Sequence, residues 1–174
     1  MNIAVVIGVS DYGGQNDLPG CKNDAQIISN ILNATKKYEE VLLLTQDLKS
    51  YNVKSTLVEY FGKYQNKNIN EIFFYFSGHG DFFENEFYYL LSDYSDDKRK
   101  STCLQNKEVD EWIKSVSPKV AIKFVDACHS GVTYVKDNNL FKHYLQEQQK
   151  NFEICYFMFS SKIDQVSYQK DGSD

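Results

Sequence analysis

The chain has 174 residues, 42% hydrophobic and 15% aromatic, a composition that supports one domain with a substantial core. Its net charge is −5 with acidic and basic residues interleaved, so it lacks the basic face of a nucleic-acid-binding protein. Its four cysteines show no CxxC pair and no zinc-finger spacing. No hydrophobic run is long enough to span a membrane, and the N-terminus lacks the basic lead of a signal peptide. We therefore expect a cytoplasmic protein that binds neither nucleic acid nor membranes.

Five short hydrophobic runs, rich in β-branched and aromatic residues, are candidate strands. Each is nearly continuous in hydrophobicity, which is typical of strands buried on both faces of a parallel sheet. The runs are IAVVIGV (3–9), VLLLT (41–45), EIFFYF (71–76), VAIKFV (120–125) and ICYFMF (154–159). Together they predict a mostly parallel sheet.

Segments with helical spacing of hydrophobic residues separate these runs. They are residues 23–32, 50–64, 106–116 and 140–150. The alternation of strand and helix predicts a single α/β domain over residues 1–174, with a doubly wound, mostly parallel sheet flanked by helices. An insertion at residues 86–102 interrupts this alternation, and its sequence predicts a small hairpin followed by a charged loop.

Two motifs with reactive side chains follow candidate strands. In FYFSGHGD (74–81), a small-residue turn containing His79 follows the third strand, and in VDACHSG (125–131) Cys128 follows the fourth. Catalytic groups of such sheets gather at the carboxyl ends of the strands, so we expect both side chains at one edge. A cysteine beside a histidine can form a thiolate–imidazolium pair whose thiolate is a nucleophile.

The two motifs, their order and their separation resemble those of the caspase-like cysteine peptidases, most closely the metacaspases and prokaryotic caspase homologues. The stretches IGVSDY (7–12) and LPGCKNDA (18–25) extend the resemblance, which runs from the first strand through the fifth. It implies a cysteine endopeptidase acting on a protein or peptide substrate, with Cys128 as nucleophile and His79 as acid–base partner. It also implies an oxyanion hole formed by the backbone N–H groups of Gly80 and Cys128.

The resemblance also bears on specificity. Caspases that cleave after aspartate bind it with arginines, whereas this chain has His129 beside the candidate nucleophile and a single arginine, Arg99. Metacaspases cleave after Arg or Lys, and two carboxylates suit such a cation and repel aspartate. Their pocket resembles Cys21, Asp24, Ser77 and Asp126 of this chain, and Asp164 is a candidate further wall. We expect cleavage after Arg or Lys.

Two features of the insertion have both an ordinary and a functional interpretation. Many metacaspases bind calcium, and Asp93 resembles one of their ligands, with Asp96 and Asp97 as substitutes for a missing aspartate pair. A solvated loop is the favoured interpretation, so no cofactor and no metal are expected. The run KRK (98–100) is either part of that loop or a site of self-cleavage.

The sequence leaves alternatives open for the function and for the extent of the sheet. The main alternative is a catalytically silent caspase-like module that binds partners or regulates them, which the presence of both His79 and Cys128 disfavours. A flavodoxin-like binding domain is a further alternative, which is disfavoured because no GxGxxG-type phosphate loop follows a candidate strand. The resemblance implies a final strand and helix beyond residue 159 that are missing from this chain, so we expect a small subunit or a C-terminal remainder to complete the sheet.

Overall fold

The computed structural model describes residues 1–14, 16–129, 138–150 and 152–160, apart from the side chains of residues 128, 129, 138 and 139. The described residues form one seven-stranded sheet and four α-helices. The strands are β1 (Asn2–Gly8), β2 (Glu40–Leu44), β3 (Glu71–Phe83), β4 (Glu86–Leu90), β5 (Cys103–Gln105), β6 (Val120–His129) and β7 (Ile154–Phe159). The helices are α1 (Pro19–Thr35), α2 (Ser50–Tyr64), α3 (Asn106–Ser115) and α4 (Asn138–Gln149).

Five parallel strands form the main part of the sheet, in the order β2, β1, β3, β6, β7. Helix α1 packs on one face of the sheet, in a hydrophobic cluster with Ala4, Val6 and Tyr75. Helices α2, α3 and α4 pack on the other face, in the larger cluster around Val5 and Phe74. The predicted α/β fold with a doubly wound, mostly parallel sheet is confirmed. In the described part of the chain, no helix is long and apolar enough to cross a membrane.

Helix α1 begins at Pro19, four residues before the predicted start at Asn23. Proline suits the first helical turn because its fixed φ fits a helix and an N–H there would have no helical partner. The hydroxyl of Ser10 accepts the backbone N–H of Lys22 at 2.9 Å, which satisfies a free amide of this turn. A Cβ at position 8 would lie 2.4 Å from the carbonyl oxygen of Cys21, so Gly8 permits the close approach of α1 to β1.

Strand β3 is longer than the sequence indicates, because SGHG is extended strand and the turn predicted there is wrong. The whole segment pairs with β6. Gly80 pairs with His129 of β6 on one side and with Tyr89 of β4 on the other. The chain turns instead at Glu84 and Asn85, whose φ values of 50° and 60° are typical of a type I′ hairpin.

The insertion forms the predicted hairpin and a short strand, β5, that pairs with β4. The following loop is anchored by Arg99, whose side chain is 21% exposed and forms an ion pair with Asp81. Its guanidinium lies 4.5 Å from the ring centroid of Phe83, a cation–π contact. Lys98 and Lys100 on either side are exposed. The KRK run is therefore not uniformly solvated, since its arginine is packed against the hairpin.

Asp93 has a structural role at the start of α2. One of its carboxylate oxygens accepts the backbone N–H of Ser50 and the other accepts the Ser50 hydroxyl, both at 2.8 Å. This contact satisfies a free donor of the first helical turn and ties the insertion to α2.

Candidate active site

The carboxyl ends of three parallel strands lie in register at one edge of the sheet. Gly8 of β1 pairs with Ser77 of β3, and Ser77 pairs with Asp126 of β6. Two residues further along, His79 pairs with Cys128. Neighbouring strands are about 4.8 Å apart, so the backbones of His79 and Cys128 are adjacent. The side chain of Cys128 lies outside the described part of the chain.

The imidazole of His79 is half-buried and has a defined orientation. Its Nε2 lies 2.7 Å from the backbone carbonyl oxygen of Asn16. Because a carbonyl can only accept, Nε2 carries the proton and Nδ1 of the neutral ring keeps its lone pair. Nδ1 is buried and has no hydrogen-bond partner among the described residues.

Burial lowers the pKa of His79, and the hydrogen bond to Asn16 partly opposes that shift. The neutral imidazole is therefore favoured at neutral pH. A neutral ring with a free Nδ1 can accept a proton from a neighbouring group.

Asp17 organises the loop that presents the Asn16 carbonyl. Its Oδ1 accepts the backbone N–H groups of Tyr12 at 2.7 Å and Gly14 at 3.2 Å. The N–H of Leu18 donates to the carbonyl of Ser10 at 2.8 Å and closes the loop before α1. Sequence reasoning missed the contribution of Asn16, because every residue has a backbone carbonyl and residue type gives no signal.

Tyr12 contacts His79 through both its ring and its hydroxyl. The hydroxyl accepts the backbone N–H of His79 at 2.8 Å and donates to the carbonyl of Leu90 at 3.2 Å. The Tyr12 and His79 ring centroids are 4.5 Å apart. Sequence reasoning missed this residue too, although it lies in the quoted motif IGVSDY.

Four residues expected to form a specificity pocket lie around the Gly8–Ser77–Asp126 row. Cys21 and Ser77 are buried, whereas Asp24 and Asp126 are partly buried. Burial is the main cause that raises the pKa of Asp24, and the nearby Asp126 carboxylate raises it further. The structure therefore brings the two predicted carboxylates close enough to repel each other.

Two residues that the sequence did not indicate contact the predicted pocket residues. Tyr75 lies below Ser77, whose hydroxyl hydrogen-bonds to it, and burial followed by the charge of Asp126 raises the pKa of Tyr75. The hydroxyl of Ser160, directly after β7, donates to Asp126. Among the described residues, no lysine or arginine forms an ion pair with Asp24 or Asp126.

The remaining predicted site residues are Gly80 and Asp164. Gly80 is buried within the sheet, between β4 and β6. Asp164 lies outside the described residues. Within the described ranges, no group of three or more His, Cys, Asp or Glu side chains is arranged to hold a metal ion.

Comparisons with known proteins identify the family of this chain. The family model of the caspase domain matches residues 1–174. The chain belongs to the caspase-domain family of cysteine peptidases. This membership confirms the resemblance drawn from FYFSGHGD and VDACHSG.

One sequence relative and one solved structure resemble this caspase domain. Metacaspase-1 of Meyerozyma guilliermondii is 31% identical over 85 residues, which cover 44% of this chain and 20% of that protein. The match thus spans a fifth of the length of this curated relative. The crystal structure of protein GSU0716 from Geobacter sulfurreducens has a TM-score of 0.55 at 19% identity, over 82% of this chain and 54% of that one. At this identity, the second likeness concerns the fold.

Proposed function

We propose that this caspase domain is a cysteine endopeptidase that cleaves after Arg or Lys, with Cys128 and His79 as its catalytic dyad. The observation that carries the proposal is the orientation of His79. Its protonated Nε2 is held on the Asn16 carbonyl, while its free Nδ1 lies on a residue in register with Cys128. A cysteine activated by a neighbouring imidazole is a strong nucleophile.

In the proposed reaction, Nδ1 of His79 takes the proton of the Cys128 thiol, and the thiolate attacks the carbonyl carbon of the substrate. The backbone N–H groups of Gly80 and Cys128 stabilise the resulting oxyanion, and such a donor contributes about 3–4 kcal/mol. His79 then returns the proton to the leaving amine, and the C–N bond breaks. Water, activated by the same imidazole, hydrolyses the thioester and frees the thiol.

The proposed specificity is supported by the charges of the pocket. Asp24 and Asp126 repel each other, and the described residues supply no cation to neutralise them. The side chain of a substrate Arg or Lys would relieve this repulsion, whereas an aspartate would increase it. The buried Ser77 lies beside Asp126 in the row of paired residues, between Asp126 and Gly8.

A panel of fluorogenic peptides that differ at the residue before the scissile bond tests the proposal. We expect turnover with Arg or Lys, none with Asp, and complete loss of turnover in the Cys128→Ala variant. Alkylation should favour Cys128 over Cys103 and Cys155, since burial raises the pKa of Cys103 to about 12 and that of Cys155 to about 11. A folded protein that is alkylated at Cys128 and spares every basic peptide would instead support a catalytically silent module.

A partner that completes the sheet is part of the proposal. Within the described strands, β7 pairs on one side only, with β6. Its side chains Ile154, Tyr156 and Met158 are exposed. We propose that a C-terminal remainder or a separate small subunit covers this edge, since an open apolar edge strand favours association.

A further inference from the structure

We propose that Tyr12 is a positioning residue of the peptidase reaction, which holds the His79 segment of β3 so that the imidazole keeps Nε2 on the Asn16 carbonyl. The inference rests on the proposed function, because its kinetic effect requires His79 to act as the proton acceptor. Tyr12 itself acts through His79 and takes no part in the proton transfers.

The first argument is the set of segments that one hydroxyl joins. Tyr12 lies in the loop that leads from β1 to α1, and its hydroxyl bonds to His79 of β3 and Leu90 of β4. Its own N–H donates to Asp17, next to the Asn16 that receives His79 Nε2. The backbone and the ring of His79 are therefore both held by the same loop.

The second argument is the space that the neighbouring residue leaves for this hydroxyl. A Cβ at Gly78 would lie 2.6 Å from the Tyr12 hydroxyl oxygen and 2.9 Å from the Phe76 ring. Any side chain at position 78 would thus displace either the tyrosine or the strand. The glycine before His79 is what allows the hydroxyl to approach the backbone this closely.

The third argument concerns what the loss of the hydroxyl would change. The His79 N–H and the Leu90 carbonyl would lose their shared partner, and β3 and the loop would be free to shift against each other. A misplacement of about 1 Å can cost 100-fold in rate when a reacting group must be aligned. The pocket carboxylates lie on α1 and β6, outside these contacts, so substrate affinity should change little.

The experiment compares Tyr12→Phe with Tyr60→Phe. Tyr60 is a matched control, because its hydroxyl also contacts two backbone groups, the carbonyls of Ala4 and Glu40, in a distant part of the sheet. With an Arg peptide, we expect Tyr12→Phe to lower kcat about 10- to 100-fold and to leave KM within about twofold of wild type. Tyr60→Phe should lose thermal stability and keep the wild-type kcat.

A second readout does not depend on turnover. In a Cys128→Ala background, ¹⁵N NMR of His79 reports which ring nitrogen is protonated. We expect the Nε2–H tautomer in the parent and in Tyr60→Phe, and a mixture of tautomers in Tyr12→Phe. If the wild type cleaves no peptide, the proposed function fails, while the tautomer still decides the role of Tyr12.

Gly78→Ala supplies a second variant that keeps the hydroxyl and removes its space. We expect the same loss of kcat and the same tautomer mixture. Gly62→Ala is its control, because a Cβ there meets nothing within 4 Å. Wild-type kcat and a pure Nε2–H tautomer in either Tyr12→Phe or Gly78→Ala would overturn the proposal. If Tyr12→Phe does not fold, Gly78→Ala decides it alone.

Discussion

Two pairs of ionisable groups in this domain, one buried in the core and one partly buried at the sheet edge, differ in how their charge is compensated. The core pair, Asp110 and Lys123, has its charged atoms 2.6 Å apart, with the side chains 2% and 0% exposed. Asn106 accepts a second hydrogen bond from Lys123 at 2.6 Å and donates to Asp110. The edge pair, Asp24 and Asp126, consists of two like charges, whose described contacts include the Ser160 hydroxyl and no cation.

The difference lies in whether the protein itself compensates the charge. Removing a carboxylate from water is costly unless a partner is supplied, and the core pair supplies one within the protein. The edge pair bears the cost of partial burial without an internal cation. An uncompensated pair at the carboxyl edge of the sheet is what the proposed cleavage after Arg or Lys requires, because the substrate cation would then compensate it.

The largest effect should follow from breaking the core pair. Asp110→Ala leaves the Lys123 ammonium buried without its counter-ion, so we expect a loss of about 3–5 kcal/mol in the free energy of unfolding. Urea denaturation measures it, and Glu111→Ala, an exposed neighbour on the same helix, is the control. A loss below about 1 kcal/mol would mean that Lys123 finds other compensation.

Asp126→Asn should reduce activity without reducing stability. It removes the repulsion with Asp24, so the free energy of unfolding should not fall. It also removes one charge-assisted contact with the substrate cation, so kcat/KM for an Arg peptide should fall about 10- to 100-fold. The exposed Asp97→Asn variant controls for net charge. Unchanged kcat/KM in Asp126→Asn would remove Asp126 from the pocket.

His79 provides a smaller, pH-dependent effect at the same edge. Its folded-state pKa is lowered from 6.5, so the unfolded chain binds more protons in the window below that value. Stability contributed by the neutral ring is present above pH 6.5 and is lost as the pH falls through the lowered folded pKa. Urea midpoints across this pH window, compared between Cys128→Ala and the Cys128→Ala/His79→Gln double variant, measure this contribution of His79 to stability. A His79 pKa above 6.5 by NMR in Cys128→Ala would contradict the burial seen here.

The smallest effect is the pH dependence of stability that Asp24 contributes, which is opposite in sign to that of His79. Its folded-state pKa is raised from 3.8, so stability falls as the pH rises from 3.8 through the raised value. A bound guanidinium favours the ionised carboxylate, and binding should therefore weaken as the pH falls below that raised pKa. Inhibition constants of a peptide aldehyde ending in Arg, measured in wild type and Asp24→Asn, test this. An equal pH slope in the two proteins would exclude Asp24.

The sequence predicted those parts of the site that depend on residue type at strand ends. His79 and Cys128 were expected at one edge because each follows a buried hydrophobic run, and β3 and β6 pair them in register. Asn16 escaped prediction because its contribution is a backbone carbonyl. Tyr12 escaped because an aromatic residue in a loop gives no indication that its hydroxyl will meet a strand N–H.

The errors in the predicted fold arose where segments distant in sequence pair with each other. Ser77, Gly78 and Gly80 favour turns locally, yet all three pair with β6, and the segment stays extended. Strand β1 pairs with Ser77 and β4 with Gly80 on the other side. The charged loop similarly gave no indication that Arg99 would lie under Phe83 and pair with Asp81. Local propensity carries no information about such long-range partners.

The uninterrupted course of β3 past Phe76 has a consequence for insertions and deletions. Successive strand residues point to opposite faces, so the odd-numbered positions Tyr75, Ser77 and His79 share one face. Deleting a single residue between Tyr75 and His79 would move the imidazole to the opposite face of the sheet, which α2 covers. Only an insertion or deletion of an even number of residues in this stretch would keep His79 on its face. The tight turn at Glu84 and Asn85 follows His79, so a change of length there does not alter the face of the imidazole.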